Sequence, residues 1–352
     1  MLAALLAAAC PGFRAQLPGL IRPRVAATLA ALMAATGLLS ASGALARLAD
    51  TAARRWSDPR LGLLVALTGL GLASSIATND AAVLVAVPVA LEAAERGGLP
   101  RWAALGAATV AVNIGSSLLP LGNPQNLLIW HDYGVGFAGF AETMAPMVLL
   151  GFALLAAVLL LSTRSASHHR PRQRLSGPPP AVDMGKAAAG AAALAAIAAS
   201  SAAGRPLLGD ALAATLAAAA WPRSLLAIDP WVLATLSLMF ADFSYLGAVL
   251  AAHMPAWLLG SRLGVYAAAL LLSQAVSNVP AAAALSLHTP HWEALAYGVD
   301  VGGVMLATGS LANLIALRLA EAKPGELHRF QLRVAAPLAA ACAALLAAGL
   351  TP

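Results

Sequence analysis

Two short polar tips and two interruptions of apolar sequence hold the residues whose types and spacing could do chemistry. The tips are residues 78–80 and 277–280, and the interruptions are residues 122–126 and 309–313. Their amides, hydroxyls and single carboxylate offer oxygen ligands to a hard cation such as Na⁺. A helix that begins at such a point also presents free N–H groups, which suit an anion. The pattern predicts that ions of both signs bind within an apolar chain.

The same order of tip and interruption occurs twice. From Asn113 the chain reads NIGSSLLPLGNPQNLLI, and from Asp300 it reads DVGGVMLATGSLANLIA. Aligning the two stretches pairs Asn113 with Asp300 and Gly122 with Gly309, and an asparagine follows four residues later in each. The stretch SSIATNDAAVLVAVP lies upstream of the first copy, and SQAVSNVPAAAALS lies upstream of the second. We therefore predict two repeats, each with a hairpin tip followed by a broken helix.

The interruptions are typical of helices that break at membrane depth. Pro124 lacks an amide hydrogen and disfavours helix at Asn123. Such a break is tolerated only inside protein or beside a watery cavity, and paired breaks in two halves indicate a transporter's binding site. The predicted substrate-binding residues are Thr78, Asn79, Asp80, Ser277, Asn278 and Pro280. The predicted cation-binding residues are Asn79, Asp80, Gly122, Asn123, Asn126, Asn278, Gly309, Ser310 and Asn313.

Two carboxylates within apolar sequence are candidates for coupling transport to a cation. Because a carboxylate inside a membrane is costly, it indicates function by default. Asp80 could bind Na⁺ or shuttle a proton, and its alternative role is to pair with a helix N-terminus at the tip. Asp242, in LMFADFSYLG, is the second candidate. We predict no catalytic residues, because HExxH, GxSxG, P-loop and CxxC motifs are absent from the sequence.

The composition predicts an all-α polytopic membrane protein. It is 60% hydrophobic and 10% charged, with a mean hydropathy of +0.80. Charge-free stretches of about 18 residues are long enough to span a bilayer, and we expect about nine to eleven spans. The net charge of +6 fits cytoplasmic loops rich in Lys and Arg. Nucleic acid is not expected, because no basic face with interleaved aromatics is present.

The chain divides into four segments. An N-terminal segment (1–24) precedes the first membrane repeat (25–161), and a basic linker (162–186) joins it to the second repeat (187–352). The linker holds arginines, two adjacent histidines and three consecutive prolines. The positive-inside rule places this linker in the cytoplasm.

The first tip lies between two apolar limbs, residues 61–76 and 81–94. At about 1.5 Å per residue each limb is short for a full crossing. We therefore expect a re-entrant hairpin, with one long span bearing a polar belt as the alternative.

The stretches TNDAAVLVAVP, NIGSSLLPLGNPQNLLIW, SNVPAA and GSLANLI resemble the ion transporter superfamily, and most closely its citrate-transporter-like and ArsB-like permeases. Sodium-coupled dicarboxylate and sulfate symporters are more distant members. The resemblance implies two inverted repeats, each with a re-entrant hairpin and a broken helix. It also implies substrate contacts from Asn79 and Asn278, and cation sites between each tip and the following break. Asp80 and Val279 replace hydroxyl residues of the symporter tips, which favours the ArsB-like and antiporter branches.

These observations predict a secondary transporter of a small anion or oxyanion (carboxylate, sulfate or arsenite-like) in a bacterial plasma (inner) membrane. Coupling to Na⁺ or H⁺ and alternating access are expected, with no cofactor beyond Na⁺. Homodimerisation is implied only by analogy with the fold. Two alternatives remain open at this point: a Na⁺/H⁺ antiporter that uses Asp80, and a receptor or assembly factor that keeps the fold without transporting.

Overall fold

The protein is all-helical over the residues that the structure, a computed structural model, describes: 2–44, 46–47, 50–51, 58–164 and 181–349. The helices are α1 (Leu2–Ala9), α2 (Pro11–Leu20), α3 (Pro23–Ala41), α4 (Pro59–Ala77), α5 (Asn79–Gly97), α6 (Arg101–Ser116), α7 (Pro124–Tyr133), α8 (Phe137–Ser162), α9 (Met184–Ala202), α10 (Pro206–Ala220), α11 (Pro230–Ala251), α12 (Ala256–Leu259), α13 (Arg262–Val276), α14 (Asn278–Leu285), α15 (Trp292–Met305), α16 (Leu311–Leu319) and α17 (Pro324–Ala347). Two 3₁₀ turns, Pro222–Ala227 and Ala307–Gly309, complete the described structure. The predicted fold class is confirmed.

Six of these helices are long and apolar enough to cross a membrane, judged by length and composition. They are α3, α4, α8, α9, α11 and α17. Helices α10 and α13 are apolar but shorter, and α6 and α15 end at interruptions of the chain. The predicted total of crossings therefore remains a prediction. Most of the predicted linker, residues 165–180, lies outside the described residues.

The predicted duplication is present in the order of elements. Helices α4 to α8 and helices α13 to α17 each form the same series: two helices joined at one residue, a helix, an interruption, a short helix and a long helix. The first interruption (residues 117–123) and the second (residues 306–310) are called the first and second breaks. Whether the two series have opposite orientations in the membrane remains a prediction.

The joining residues of both hairpins have an unusual backbone conformation. Thr78, between α4 and α5, has φ 63° and ψ 148°, and Ser277, between α13 and α14, has φ 78° and ψ 160°. A residue other than glycine in this region costs on the order of 1–3 kcal/mol and persists only where its surroundings hold it. The tips are therefore held by tertiary contacts, which is typical of functional positions.

The limbs of the first hairpin are longer than their apolar pattern predicted. Helices α4 and α5 have 19 residues each, or about 28 Å at 1.5 Å per residue. The cause is polar sequence at the outer ends. Asp58 caps α4 by accepting from the Arg60 amide at 2.9 Å, and α5 continues through Glu95 to Gly97. The second hairpin is shorter, with limbs of 15 and 8 residues.

The two series pack across each other at their centre. The short helix after each break lies against the second limb of the opposite hairpin, so that α7 packs on α14 and α16 packs on α5. Helices α6 and α15 also contact each other. Helices α9 and α10, which the sequence assigned to the second repeat, instead pack on α3. Thr28 of α3 donates to Asp210 of α10 at 2.8 Å.

One ion pair joins three elements at the end of this core. Arg22, just before α3, pairs with Asp132 near the end of α7 at 3.0 Å. The Ser286 hydroxyl, just after α14, donates to the same carboxylate at 2.7 Å. Because Arg22 and Asp132 are both largely buried, the contact ties α3 to the two elements that cross at the centre.

Helices α4 and α6 approach until their backbones touch. A Cβ atom added at Gly115 of α6 would lie 2.0 Å from the carbonyl oxygen of Gly71 of α4. Ser74 of α4 donates to the carbonyl oxygen of Val112 at 3.0 Å beside this contact. Helix-helix interfaces in membranes favour such small residues, because they allow close backbone packing.

We predict that Gly115→Ala destabilises the protein strongly. The added methyl group meets backbone rather than a movable side chain, and overpacking of this kind costs about 1–3 kcal/mol or more. Thermal denaturation of purified protein in detergent measures the effect. Gly139→Ala in α8 is the matched control, because the nearest atom to its added Cβ is 4.0 Å away. Equal melting temperatures for the two variants would contradict the close contact.

Candidate functional site

The first tip is attached to the first break by its backbone. The amide of Asn79 donates to the carbonyl oxygen of Gly122 at 2.9 Å. Glycine is required at 122, because an added Cβ would lie 2.0 Å from the Ser116 carbonyl oxygen. The Asn79 side chain is 3% exposed, and its Oδ1 atom has no hydrogen-bond partner among the described residues. This buried oxygen is a free ligand for a cation or a donor group.

The second tip is attached to the second break in a corresponding way. The Ser277 hydroxyl donates to the carbonyl oxygen of Gly309 at 3.3 Å. Asn278, also 3% exposed, uses its Oδ1 atom to accept from the Val279 amide at 2.9 Å. Pro280 is buried in the first turn of α14, where a missing N–H breaks no helical hydrogen bond. The structure thus places all predicted tip residues at the start of α5 or α14.

A buried carboxylate from the second series organises the first break. Asp300 of α15 is 3% exposed and accepts from Asn126 at 2.8 Å, from Gln125 at 2.9 Å and from Asn123 at 3.4 Å. Asn123 also caps α7, with its Oδ1 accepting from the Asn126 amide at 2.9 Å. Charge-assisted hydrogen bonds are stronger than neutral ones. Asp300 therefore fixes the start of α7 from the opposite half of the molecule.

The corresponding position in the first series is an uncharged amide. Asn113 of α6 donates to Asn313 at 3.0 Å, and its Oδ1 accepts from the Ser310 hydroxyl at 3.0 Å. Asn313 also accepts from Gln331 of α17 at 3.0 Å and donates to the carbonyl oxygens of residues 303 and 306. Each break is therefore held by a side chain of the other series, through a carboxylate at the first break and an amide at the second.

Every asparagine in the chain belongs to these two clusters. They are Asn79, Asn113, Asn123, Asn126, Asn278 and Asn313. Each is at most 4% exposed. Since buried amides are costly unless they are hydrogen-bonded, their confinement to the tips and breaks marks this region as the polar centre of the protein.

Several amide oxygens in the polar centre lack a hydrogen donor. The unpartnered atoms among the described residues include Asn79 Oδ1, Asn126 Oδ1, Gln125 Oε1, Gln274 Oε1 and Gln331 Oε1. Among those residues no group of three or more His, Cys, Asp or Glu side chains could hold a metal ion. The available ligands are therefore amide and carbonyl oxygens, which suit Na⁺ rather than a transition metal.

The predicted coupling carboxylates lie in different surroundings. Asp80 is in the first turn of α5, is partly exposed, and forms no hydrogen bond or ion pair within the described part of the chain. Asp242 of α11 is 5% exposed and lies beside the backbone of Ala3 in α1, with its Oδ1 unpartnered there. Asp80 thus remains a candidate to bind a cation or proton, whereas Asp242 lies against the N-terminal helix.

Sequence reasoning missed five residues of the polar centre: Asn113, Gln125, Asp300, Gln274 and Gln331. The first and third were visible as an aligned pair in the duplicated stretches, but nothing in the pattern showed that each reaches across to the opposite break. Gln125 lies inside the GNPQN stretch. Gln331 lies in a charged segment of sequence and gave no signal.

Comparison with known proteins places the chain among membrane transport proteins. A solved structure of the YdaH transporter of Alcanivorax borkumensis covers 97% of this chain and 89% of its own, with a TM-score of 0.65 and 17% identity. The chain therefore shares the fold of this structure. The family model of the citrate transporter CitMHS matches residues 1–291. The chain belongs to this citrate transporter family.

Two relatives cover most of the chain. Inner membrane protein YbiR of Escherichia coli (strain K12) is 32% identical over 304 residues, which is 83% of this chain and 78% of YbiR. The transporter MJ0456 of Methanocaldococcus jannaschii is 29% identical over 250 residues, 70% of this chain and 67% of its own length. A shorter match, 38% over 89 residues, is to the silicon efflux transporter LSI3 of Oryza sativa subsp. japonica; it covers 25% of this chain and 18% of LSI3.

We predict that Asp300→Ala and Asn126→Ala each destabilise the protein, and that the double variant loses less than the sum. Removing Asp300 leaves the buried Asn126 side chain without its acceptor, and removing Asn126 takes one of three amide donors from the buried Asp300 carboxylate. Each loss costs about 1–3 kcal/mol. Contacting residues couple by about 0.5–3 kcal/mol. Thermal denaturation of the four proteins in detergent gives the coupling, with Glu142→Ala, an exposed carboxylate of α8, as the control. Strict additivity would contradict a direct contact.

Proposed function

We propose that this protein is a secondary transporter that moves a small anion or oxyanion across a bacterial inner membrane, coupled to Na⁺ or H⁺. The observation on which the proposal depends is the pair of tip-to-break contacts, Asn79 to Gly122 and Ser277 to Gly309. Each contact brings opened backbone and buried amides together within an apolar chain. Such paired interruptions are typical of a transporter's binding site.

The helix ends that meet at the polar centre support the binding of both an anion and a cation. Four helices begin at the tips and breaks: α5, α7, α14 and α16. Their N-terminal N–H groups carry partial positive charge and suit an anion. The helices α4, α6, α13 and α15 end there, and their terminal carbonyl groups suit a cation. An anion and its coupling cation can therefore share one polar centre.

The uneven charge of the two clusters supports placing the coupling cation at the first break. Asp80 follows Asn79, the tip residue that contacts this break. Asp300 accepts hydrogen bonds from the amide side chains of Gln125 and Asn126 at the same break. The equivalent positions in the second cluster are Val279 and Asn113, neither of them charged. Because Asp300 is already satisfied by several amide donors, Asp80 is the carboxylate that is free to take a proton or Na⁺. The neutral second cluster is better suited to an anion.

A Na⁺/H⁺ antiporter is the second candidate. The observation that favours it is the absence of any hydrogen bond or ion pair to Asp80 within the described part of the chain. A carboxylate of this kind exchanges a proton for a cation without needing an organic anion.

We predict that Asn79→Ala and Asn278→Ala each reduce transport at least tenfold while the protein still purifies as a folded species. Each variant removes a buried amide at a tip. Asn79→Ala keeps the backbone contact to Gly122, and Asn278→Ala removes the acceptor of the Val279 amide but leaves the Ser277 contact to Gly309 in place. Flux into proteoliposomes under imposed Na⁺ and pH gradients, with citrate, succinate, sulfate, arsenite and silicic acid added in turn, is the measurement. Gln16→Ala, an exposed amide of α2, should transport normally. Wild-type flux in both tip variants would refute this site.

We predict that Asp80→Asn separates the two candidates. In an anion transporter the variant loses its dependence on the Na⁺ or pH gradient, and wild-type proton or charge movement requires one of the anions. In an antiporter, wild-type protein moves protons against Na⁺ or Li⁺ without any anion, and Asp80→Asn abolishes this movement. Glu142→Gln, at an exposed position of α8, is the control. If wild-type vesicles show no flux under any gradient, the protein is a receptor or assembly factor.

A further inference from the structure

Two arginines of α17 lie over a single tryptophan of α6. The guanidinium carbon of Arg329 is 4.3 Å from the centroid of the Trp102 ring, and that of Arg333 is 5.1 Å away. Both distances are within the range of a cation–π interaction. Phe330 packs against the same tryptophan, with ring centroids 6.4 Å apart. The tryptophan is thus fixed in place, and the two cations are held side by side.

This positive charge has no counter-charge in the described residues. Neither Arg329 nor Arg333 forms an ion pair with any carboxylate there, and both side chains are exposed. Arg333 donates only to the neutral hydroxyl of Ser162, at 3.4 Å. Arg101, the neighbour of Trp102 in the chain, has its guanidinium on the carbonyl oxygen of Ala320 and likewise forms no ion pair within the described residues. An anionic ligand would satisfy this cluster.

The cluster lies where several helices end on one side of the molecule. Trp102 is in the first turn of α6, Ser162 is the last residue of α8, and Arg329 is in the second turn of α17. Helices α8 and α17 are apolar enough to cross a membrane. Tryptophan and arginine near the ends of membrane helices are typical of the headgroup layer. The basic linker also leaves from the end of α8.

We propose that Trp102, Arg329 and Arg333 bind the phosphate headgroup of an anionic phospholipid. Guanidinium groups match phosphate oxygens in a bidentate geometry, and basic pockets between membrane helices bind anionic headgroups. The exposed arginines face the surroundings of the helix bundle. The tryptophan ring gives the lipid glycerol region an apolar surface. The site holds α6 against α17, so a bound lipid would strengthen this contact.

The same helix connects this site to the second break. On α17, His328 accepts from the backbone amide of Ala307 at 2.9 Å, and Gln331 donates to Asn313 at 3.0 Å. His328 and Gln331 lie in the same turns of α17 as Arg329 and Arg333. A lipid that fixes α17 therefore also fixes one contact to the second break, at Ala307, and one to Asn313 of α16 just after it. The conformation around that break becomes sensitive to the headgroup.

Titration of the detergent-purified full chain with phosphatidylglycerol, followed by native mass spectrometry, tests the proposal. Phosphatidylcholine is the zwitterionic comparison. Wild-type protein should bind phosphatidylglycerol preferentially. Arg329→Gln with Arg333→Gln should weaken its apparent affinity about thirtyfold, since a basic residue near an anionic headgroup contributes about fivefold. The control pair Arg205→Gln with Arg223→Gln alters two other exposed arginines and should bind as wild type does.

Three results would overturn the proposal. One is wild-type affinity in the Arg329→Gln, Arg333→Gln variant. Another is an equal loss in the control pair, which would indicate net charge alone. The third is displacement of the lipid by millimolar inorganic phosphate, which would indicate a site for a soluble anion. Arg329→Lys with Arg333→Lys keeps the charge but loses the bidentate geometry, so intermediate affinity in this variant shows that the guanidinium groups themselves are recognised.

Discussion

The structure depends on satisfying backbone groups that two interrupted helices open inside an apolar protein. Each break leaves N–H and C=O groups that lipid cannot satisfy. The tips meet one part of this need, through the Asn79 amide and the Ser277 hydroxyl. Amide side chains meet the rest, as Asn313 does for two carbonyl oxygens. Each break is thus held by contacts within its own series and by one side chain of the other series, Asp300 at the first break and Asn113 at the second. The two series therefore stabilise one another.

The two repeated series have similar geometry but different charge at the polar centre. Asp300 and Asn113 occupy equivalent places and perform the same task, holding the opposite break. Only one of them has a charge, so the first break lies in a negative field that the second break does not share. In the function proposed above, equivalent geometry with unequal charge would suit the two clusters to two unlike ions. The binding of one ion would then alter the electrostatic field at the other site, which is a physical basis for coupling.

The sequence predicted the order of elements better than their contacts. Gly122, Pro124 and the repeated tips located both hairpins and both breaks, because glycine and proline act locally on the backbone. The roles of Asp300 and Gln331 depend on which helices cross, and local sequence does not determine this. The limbs of the first hairpin were predicted too short because the apolar pattern stops at residue 94, whereas the helix continues through Glu95 to Gly97. Helices α9 and α10 were assigned by chain order, but their small apolar faces pack on α3.

The backbone contact between Gly71 and Gly115 limits how the protein can move. Two helices whose backbones pack this closely resist sliding past each other, so we expect the first tip and the first break to move together as one block. Relative motion of the helices would therefore occur at another interface. The Arg22 to Asp132 ion pair crosses the interface between that block and α3. In the proposed transport cycle, this ion pair would have to open whenever α3 moves away from that block. The conformation that the protein adopts without ions would then be set by this ion pair at the end of the core, rather than by the polar centre where the ions are proposed to bind.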